Sequence, residues 1–404
     1  MYPPVIGETH LSELRFNIRS QAIGGGAAQV LLNLLEQLYA GEELTNDRAL
    51  LRQTARDYME ALQEGYNGRL TDVDWNSPDF DTIQHLTENV YQFAAAKNYH
   101  ELKDLTAAIA DGDRLRSFSE FEEEARRIVG KYNGAWLRTE YNQAVAAAQS
   151  GARWNEFARH KQAMPYLQYQ CVMDENTRAD HAALNGIIKR IDDEFWDRYM
   201  PPNGWGCRCE AIQLPGSGYE ETKDENIHPP FVPEMFQVNF GKQGIAFPVS
   251  HAYFRNMPRN VWRGLEPQVR MEVLRYYQDL ALASMPSTGN DLVEFSNLQT
   301  GKLKRSSKIR ERLVNPRHAR TVEETKAAQY IWNNPDKLEF ERISTFGEGK
   351  DISNAHDINN LNGKTRRKVE EYLQYKFEYK GVEYHIKLER IEDGLEQFYS
   401  LTKP

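Results

Sequence analysis

The chain has 404 residues, 40% of them hydrophobic, 11% aromatic and 27% charged, with a net charge of -9. That is apolar material enough for two or three domain cores. No run near ~18 apolar residues is present to span a bilayer, and so acidic a whole excludes a general nucleic-acid coat. The opening Met1-Tyr2-Pro3-Pro4 lacks a basic stretch followed by an apolar one, so export by the usual signal is not expected.

Residues 11–110 read as successive helices. Val30, Leu31, Leu32, Leu34, Leu35 and Leu38 have the dense spacing of a buried helical face. Gly24-Gly25-Gly26 precedes them without a following Lys-Ser/Thr pair, which fits a hinge or close packing better than a phosphate loop. Helices continue over 119–150, with Glu122-Glu123-Glu124 suited to a helix start. Residues 166–172 alternate as a strand, 174–177 form a turn and 180–189 a short helix. Pro201-Pro202-Asn203-Gly204 then delivers Trp205-Gly206-Cys207-Arg208-Cys209, and 208–214 returns as a second strand.

Residues 261–284 carry a broad apolar helical stripe. Residues 286–308, rich in Ser, Thr, Gly, Asn and Lys, read as a linker and as the exposed joint of the chain. Lys302, Lys304, Arg305, Lys308, Arg310, Arg312, Arg317 and Arg320 form a basic island there, opposed only by Glu311. It reads either as a solvated linker or as a phosphate-contacting arm. Beyond it, a helix over 322–332 precedes strands at 372–379, 382–389 and 397–401. The fold class is therefore multidomain α+β: a mainly helical N-terminal and central region with a small strand-loop element, then a C-terminal helix plus antiparallel β-sheet domain.

All three cysteines, Cys171, Cys207 and Cys209, fall in one segment. Their number and spacing make no disulfide framework and fit a reducing cytoplasm. Cys207 and Cys209, with His181 and Asp174 (Cys171 being a further donor), are candidate ligands of a structural zinc. The competing reading is a set of buried thiols beside Trp205 with capping Asp174 and His181. A metal-dependent enzyme centred on the two cysteines would need an open metal position, and only Asp174 and Glu210 stand near as bases.

The run Tyr169-Gln170-Cys171-Val172-Met173-Asp174-Glu175-Asn176-Thr177-Arg178-Ala179-Asp180-His181-Ala182-Ala183-Leu184-Asn185-Gly186, followed by Pro201 to Cys209, resembles the phage Mu F-like head-morphogenesis family. Asn239-Phe240-Gly241-Lys242 and His251-Ala252-Tyr253 extend the resemblance to about residues 91–253. It implies a minor head protein of a phage or prophage, partnered by portal, capsid and scaffold proteins. Such a protein acts in capsid assembly and in DNA packaging and delivery, in the bacterial host cytoplasm and the phage head. The implied domains are a helical N-terminal region over 1–90, the Mu F-like domain over 91–260, helix and basic linker over 261–315, and a last domain over 316–404.

In that last domain a two-residue Lys380-Gly381 loop sets Tyr379 opposite Val382 and Lys376 opposite His385. One face then carries Leu373, Tyr375, Phe377, Tyr379, Val382, Tyr384, Ile386 and Leu388; the other carries Gln374, Lys376, Glu378, Glu383, His385 and Lys387. A helix plus small antiparallel sheet behind a phage head domain resembles the barnase–EndoU–colicin–RelE-like nucleases. His318-Ala319-Arg320, Lys350 and Tyr399-Ser400-Leu401-Thr402 add to that likeness. The resemblance implies a metal-independent ribonuclease that needs no cofactor, acts on RNA (phage DNA being a second nucleic-acid partner) and is held in check by an immunity protein. His385 is the leading acid/base, since an ordinary histidine titrates near ~6.5. Lys387 and Lys376 would stabilise phosphorane charge, Glu383 would serve as base, and His318, Lys326, Ser400 and Thr402 would complete the site. The alternative is a purely structural head protein whose last domain binds nucleic acid or capsid without cutting.

Overall fold

A computed structural model describes residues 34, 35, 37–39, 47–66, 68, 73–228, 230–286, 290–316, 318–344, 369–391 and 394–402. Gly24 to Gly26, Val30 to Leu32, Arg317 and Lys350 lie outside them. The chain divides into two compact units, residues 1–272 and 273–404.

The first unit is mainly helical. α1 (Arg48–Gly65) starts on Asp47, whose carboxylate accepts from Leu50 N; α2 (Pro78–Ala107) starts on Ser77, with Pro78 in its first turn. A two-residue ladder of β1 (Ala110–Asp111) and β2 (Arg114–Leu115) follows. α3 (Phe118–Gly130), opened by a Ser117/Glu120 capping box, passes through a π-helical turn (Lys131–Trp136) into α4 (Leu137–His160). α1 and α4 approach closely at Gly65, where an added Cβ would fall 2.5 Å from Ala148 Cβ. Apolar faces of these helices enclose Tyr58, Phe93 and Phe247, the last two stacked with centroids 3.6 Å apart.

This core contains charge. Lys97, fully buried on α2, lies 2.6 Å from Glu140 Oε2 on α4, and donates to Tyr58 Oη at 3.1 Å. Tyr58 donates to Glu140 at 2.7 Å. One turn further along α2, Glu101 is also fully buried and accepts from Asn133 Nδ2 at 2.6 Å. Burial pushes its carboxyl up to about 7, against the opposing pull of Lys97 and of the Asn133 hydrogen bond. The unfolded chain releases that proton near ~4.3, so between the two values the folded state holds the extra proton. Stability of this unit should therefore fall as pH rises from about 5 to 7, by up to ~1.4 kcal/mol per pH unit, and Glu101→Gln should flatten the slope. Urea midpoints of the two proteins at pH 5 and pH 7.5 measure this; parallel profiles would contradict it.

After α4 comes β3 (Tyr166–Gln170), then α5 (Ala179–Ala182), β4 (Ile188–Arg190), α6 (Phe195–Tyr199) and β5 (Glu210–Leu214). These strands form an antiparallel sheet in the order β4-β3-β5. The helix expected over 180–189 stops at Ala182, because Ile188 to Arg190 pair with Tyr166 to Gln168 as the sheet's edge. α7 (Phe240–Gln243) and α8 (Ala252–Arg255) follow. Between them Asn89 of α2 pins the chain, its Oδ1 accepting from Ala246 N and Phe247 N. α9 (Arg259–Ser284) contains the division between the units.

The second unit holds β6 (Asn290–Glu294), β7 (Lys302–Ser306), α10 (Ser307–Leu313), α11 (Val322–Asn333), β8 (Glu339–Ser344), β9 (Val369–Tyr379), β10 (Val382–Ile391) and β11 (Leu395–Thr402). Its strands form one sheet ordered β6-β7-β11-β10-β9-β8, antiparallel except for β7 and β11. The hairpin register is the expected one, Tyr379 with Val382 and His385 with Lys376. Lys380 and Gly381 both take positive φ, as such a turn demands. α11 covers the apolar face, with Tyr330 against Phe377 and Tyr379 and Trp332 against Phe398.

The linker reading of 286–308 is corrected here. Residues 290–294 and 302–306 are strands, and Leu303 is fully buried. Polar composition misleads because β6 is the sheet's edge, where charge is tolerated, and β7 beside it buries Leu303 among exposed and half-buried polar residues. Nor is the basic island a free arm. Arg305 lies over the Trp332 ring, Arg310 donates to Met285 O, and Arg312 sits 3.6 Å from buried Glu389. Among the described residues no helix is long and apolar enough to cross a membrane.

Candidate functional site

Two constellations carry chemistry, one in each unit. In the first, β3 delivers Cys171, whose N–H donates to Asn185 Oδ1 at 2.8 Å, and α5 delivers His181, only 4% exposed. The loop after α6 is anchored by Asn203, which is fully buried and accepts from Tyr169 Oη at 2.8 Å. Gly206 turns at φ 64, a backbone conformation that a Cβ would strain, and Cys207 N donates to Gly204 O. The sulfurs of Cys207 and Cys209 thereby reach 3.6 and 3.4 Å from the same His181 Nδ1, and Cys171 Sγ lies 3.3 Å from Cys209 Sγ.

Contact with Cys209 and burial push the Cys207 thiol up to about 12, and burial raises Cys171. Neutral thiols are poor nucleophiles, so cysteine catalysis finds no support in this arrangement. Hydrogen bonding to Cys207 raises His181 above its ordinary value. Asp174 does not join the group, because both its oxygens accept from the Arg208 guanidinium at 2.6 Å. That pairing holds its carboxyl far below the usual range.

Residues 101–212 match the family described as Phage Mu protein F like protein. The matched segment runs from the end of α2 to β5 and contains the whole cysteine–histidine group. The putative capsid assembly protein F of Escherichia phage Mu is 38% identical over 85 residues, 21% of this chain and 19% of that protein. The Mu-like prophage FluMu F protein of Haemophilus influenzae is 42% identical over 78 residues, 19% of each chain. The match thus spans about a fifth of the length of these relatives. No solved structure matches.

The second constellation lies on the sheet face opposite α11. His385 Nδ1 is 2.8 Å from Glu341 Oε2, which also accepts from Gln374 Nε2 at 3.0 Å, and His385 Nε2 is 3.7 Å from Glu383 Oε1. Lys376 lies 3.4 Å from Glu383 and 3.8 Å from Glu339. Lys387 pairs in register with Ser400, and His385 with Thr402. Burial pushes Glu341 up, but the hydrogen bonds from His385 and Gln374 and the nearby positive charge outweigh it, holding the carboxyl below its ordinary value.

Glu341 escaped the sequence reading because β8 was not recognised, although Glu339-Phe340-Glu341-Arg342-Ile343 alternates as a strand does. A bulge between Phe340 and Arg342 sits at this residue. His318 packs against Tyr399, which in turn touches Tyr372, a residue in line with Gln374 and Lys376 along β9. Lys326 is corrected: it is only 4% exposed on α11, the helix covering the other face, so the sheet separates it from His385.

Proposed function

We propose that this chain is a minor head protein of a phage or prophage, acting in capsid assembly and in DNA packaging or delivery through contacts with portal, capsid and scaffold proteins. The observation that carries this is the 38% identity over 85 residues to a protein described as a putative capsid assembly protein. The second unit is read as a metal-independent ribonuclease effector carried with the head, an immunity protein protecting the producer. Support comes from a histidine oriented by one carboxylate, near a second carboxylate and two lysines, on an otherwise polar sheet face. Those are the base, acid and cations that cleavage next to a 2′-hydroxyl requires. A head-binding domain that holds nucleic acid without cutting is the competing reading.

Two measurements test the proposal. Disrupting the gene in a phage that carries it should reduce filled heads, and the full chain should be found in purified particles. The full chain incubated with RNA in excess EDTA should yield fragments, with less cleavage of DNA. Absence from particles would overturn the head role, and intact RNA would favour the binding-only reading.

A further inference from the structure

His181, Cys207 and Cys209 have the composition and spacing of a structural metal site, and Cys171 Sγ adjoins them, 3.3 Å from Cys209 Sγ. We propose that it binds one zinc ion through three thiolates and His181 Nδ1, with Cys171 as the fourth ligand in place of Asp174. A tetrahedral zinc with bonds of ~2.3 Å to sulfur and ~2.0 Å to nitrogen sets its donors about 3.5–3.8 Å apart. The contacts of 3.3, 3.4 and 3.6 Å between these atoms already approach those edges. His181 Nδ1 and the sulfurs of Cys207 and Cys209 lie within 4.8 Å of one another, so one ion reaches all three.

A single residue between Cys207 and Cys209 is tighter than the usual spacing. The turn at Gly206 answers this by bringing both sulfurs toward one nitrogen. Three thiolates around Zn²⁺ carry a net charge of -1. Two guanidiniums stand close to offset it: Arg178, 3.5 Å from His181 Nε2 and donating to Trp205 O, and Arg208, held by Asp174. Binding releases the three thiol protons to solvent and leaves no open coordination position, so the ion's role is to fasten the Pro201-to-Cys209 loop to β3 and α5.

Full-length protein, purified reduced and without chelator, should contain about one zinc per chain by elemental analysis. A mercurial reagent should release that zinc as it blocks three thiols, and replacement by Co²⁺ should give the intense visible bands of tetrahedral thiolate-bound cobalt. Cys171→Ser should lower zinc content at least severalfold, while Asp174→Asn should retain it. The wild-type titration keeps the test valid where a cysteine variant does not fold. Folded wild-type protein without zinc after incubation with excess Zn²⁺, a Cys171–Cys209 disulfide in its place, or full zinc in Cys171→Ser would each overturn the proposal.

Discussion

His385→Ala should lower RNA cleavage by the full chain about 10²- to 10⁴-fold, the usual contribution of a positioned acid–base group. The arrangement is that of a base oriented by a third group. Glu341 accepts at Nδ1 and so directs Nε2 toward the open face, where Glu383 and Lys376 lie. Glu341→Gln should therefore cost less than His385→Ala, because it loosens the orienting contact and leaves the imidazole in place. Glu341 itself is held below its ordinary value, so it stays ionised across the working range. Lys387→Ala and Lys376→Ala should also lower the rate, and exposed Glu378→Ala should not. Neither His385 nor Glu341 is part of the apolar face, so folding should be preserved, a surface pair being worth at most about 1 kcal/mol. Initial rates for the set decide it. Unchanged cleavage in both His385→Ala and Lys387→Ala would show that the wrong face has been chosen.

Lys97→Met should destabilise the first unit by about 3–5 kcal/mol, because it leaves Glu140 buried without its cation. The pair is out of water, fully for Lys97 and 6% exposed for the Glu140 side chain, and Tyr58 joins both. Screening by salt is accordingly weak, and high salt should not rescue the variant. Replacing both charges, Lys97→Met with Glu140→Leu, removes the desolvation cost together with the attraction and should recover at least half of the loss. Hydrogen exchange of peptides from α1, α2 and α4 reads this unit separately from the sheet unit. A single variant within about 1 kcal/mol of wild type would mean that Glu140 has taken up a proton or reached solvent. The double variant would then show no recovery.

Local pattern alone carried much of this protein into view. The period-two alternation of β9 and β10 and the Lys380-Gly381 turn set register and faces before any tertiary contact is considered, because pleating and turn geometry are properties of a few residues. The Tyr169-to-Gly186 and Pro201-to-Cys209 runs pointed to the family later matched over residues 101–212 for a similar reason, since closely spaced special residues are a local feature. What sequence could not decide was partnership across the fold. Asp174 and Cys171 were both possible donors on paper; the fold pairs both oxygens of Asp174 with Arg208, distant in the chain, and sets Cys171 Sγ 3.3 Å from Cys209 Sγ. Lys326 and His385 looked like members of one site, yet a sheet lies between them, since which face a helix covers depends on packing and not on its own composition. The polar strands β6 and β7 were hidden for the converse reason. β6 is the sheet's edge, and it joins through β7, which itself joins by pairing with β11, a partner some ninety residues away in the chain.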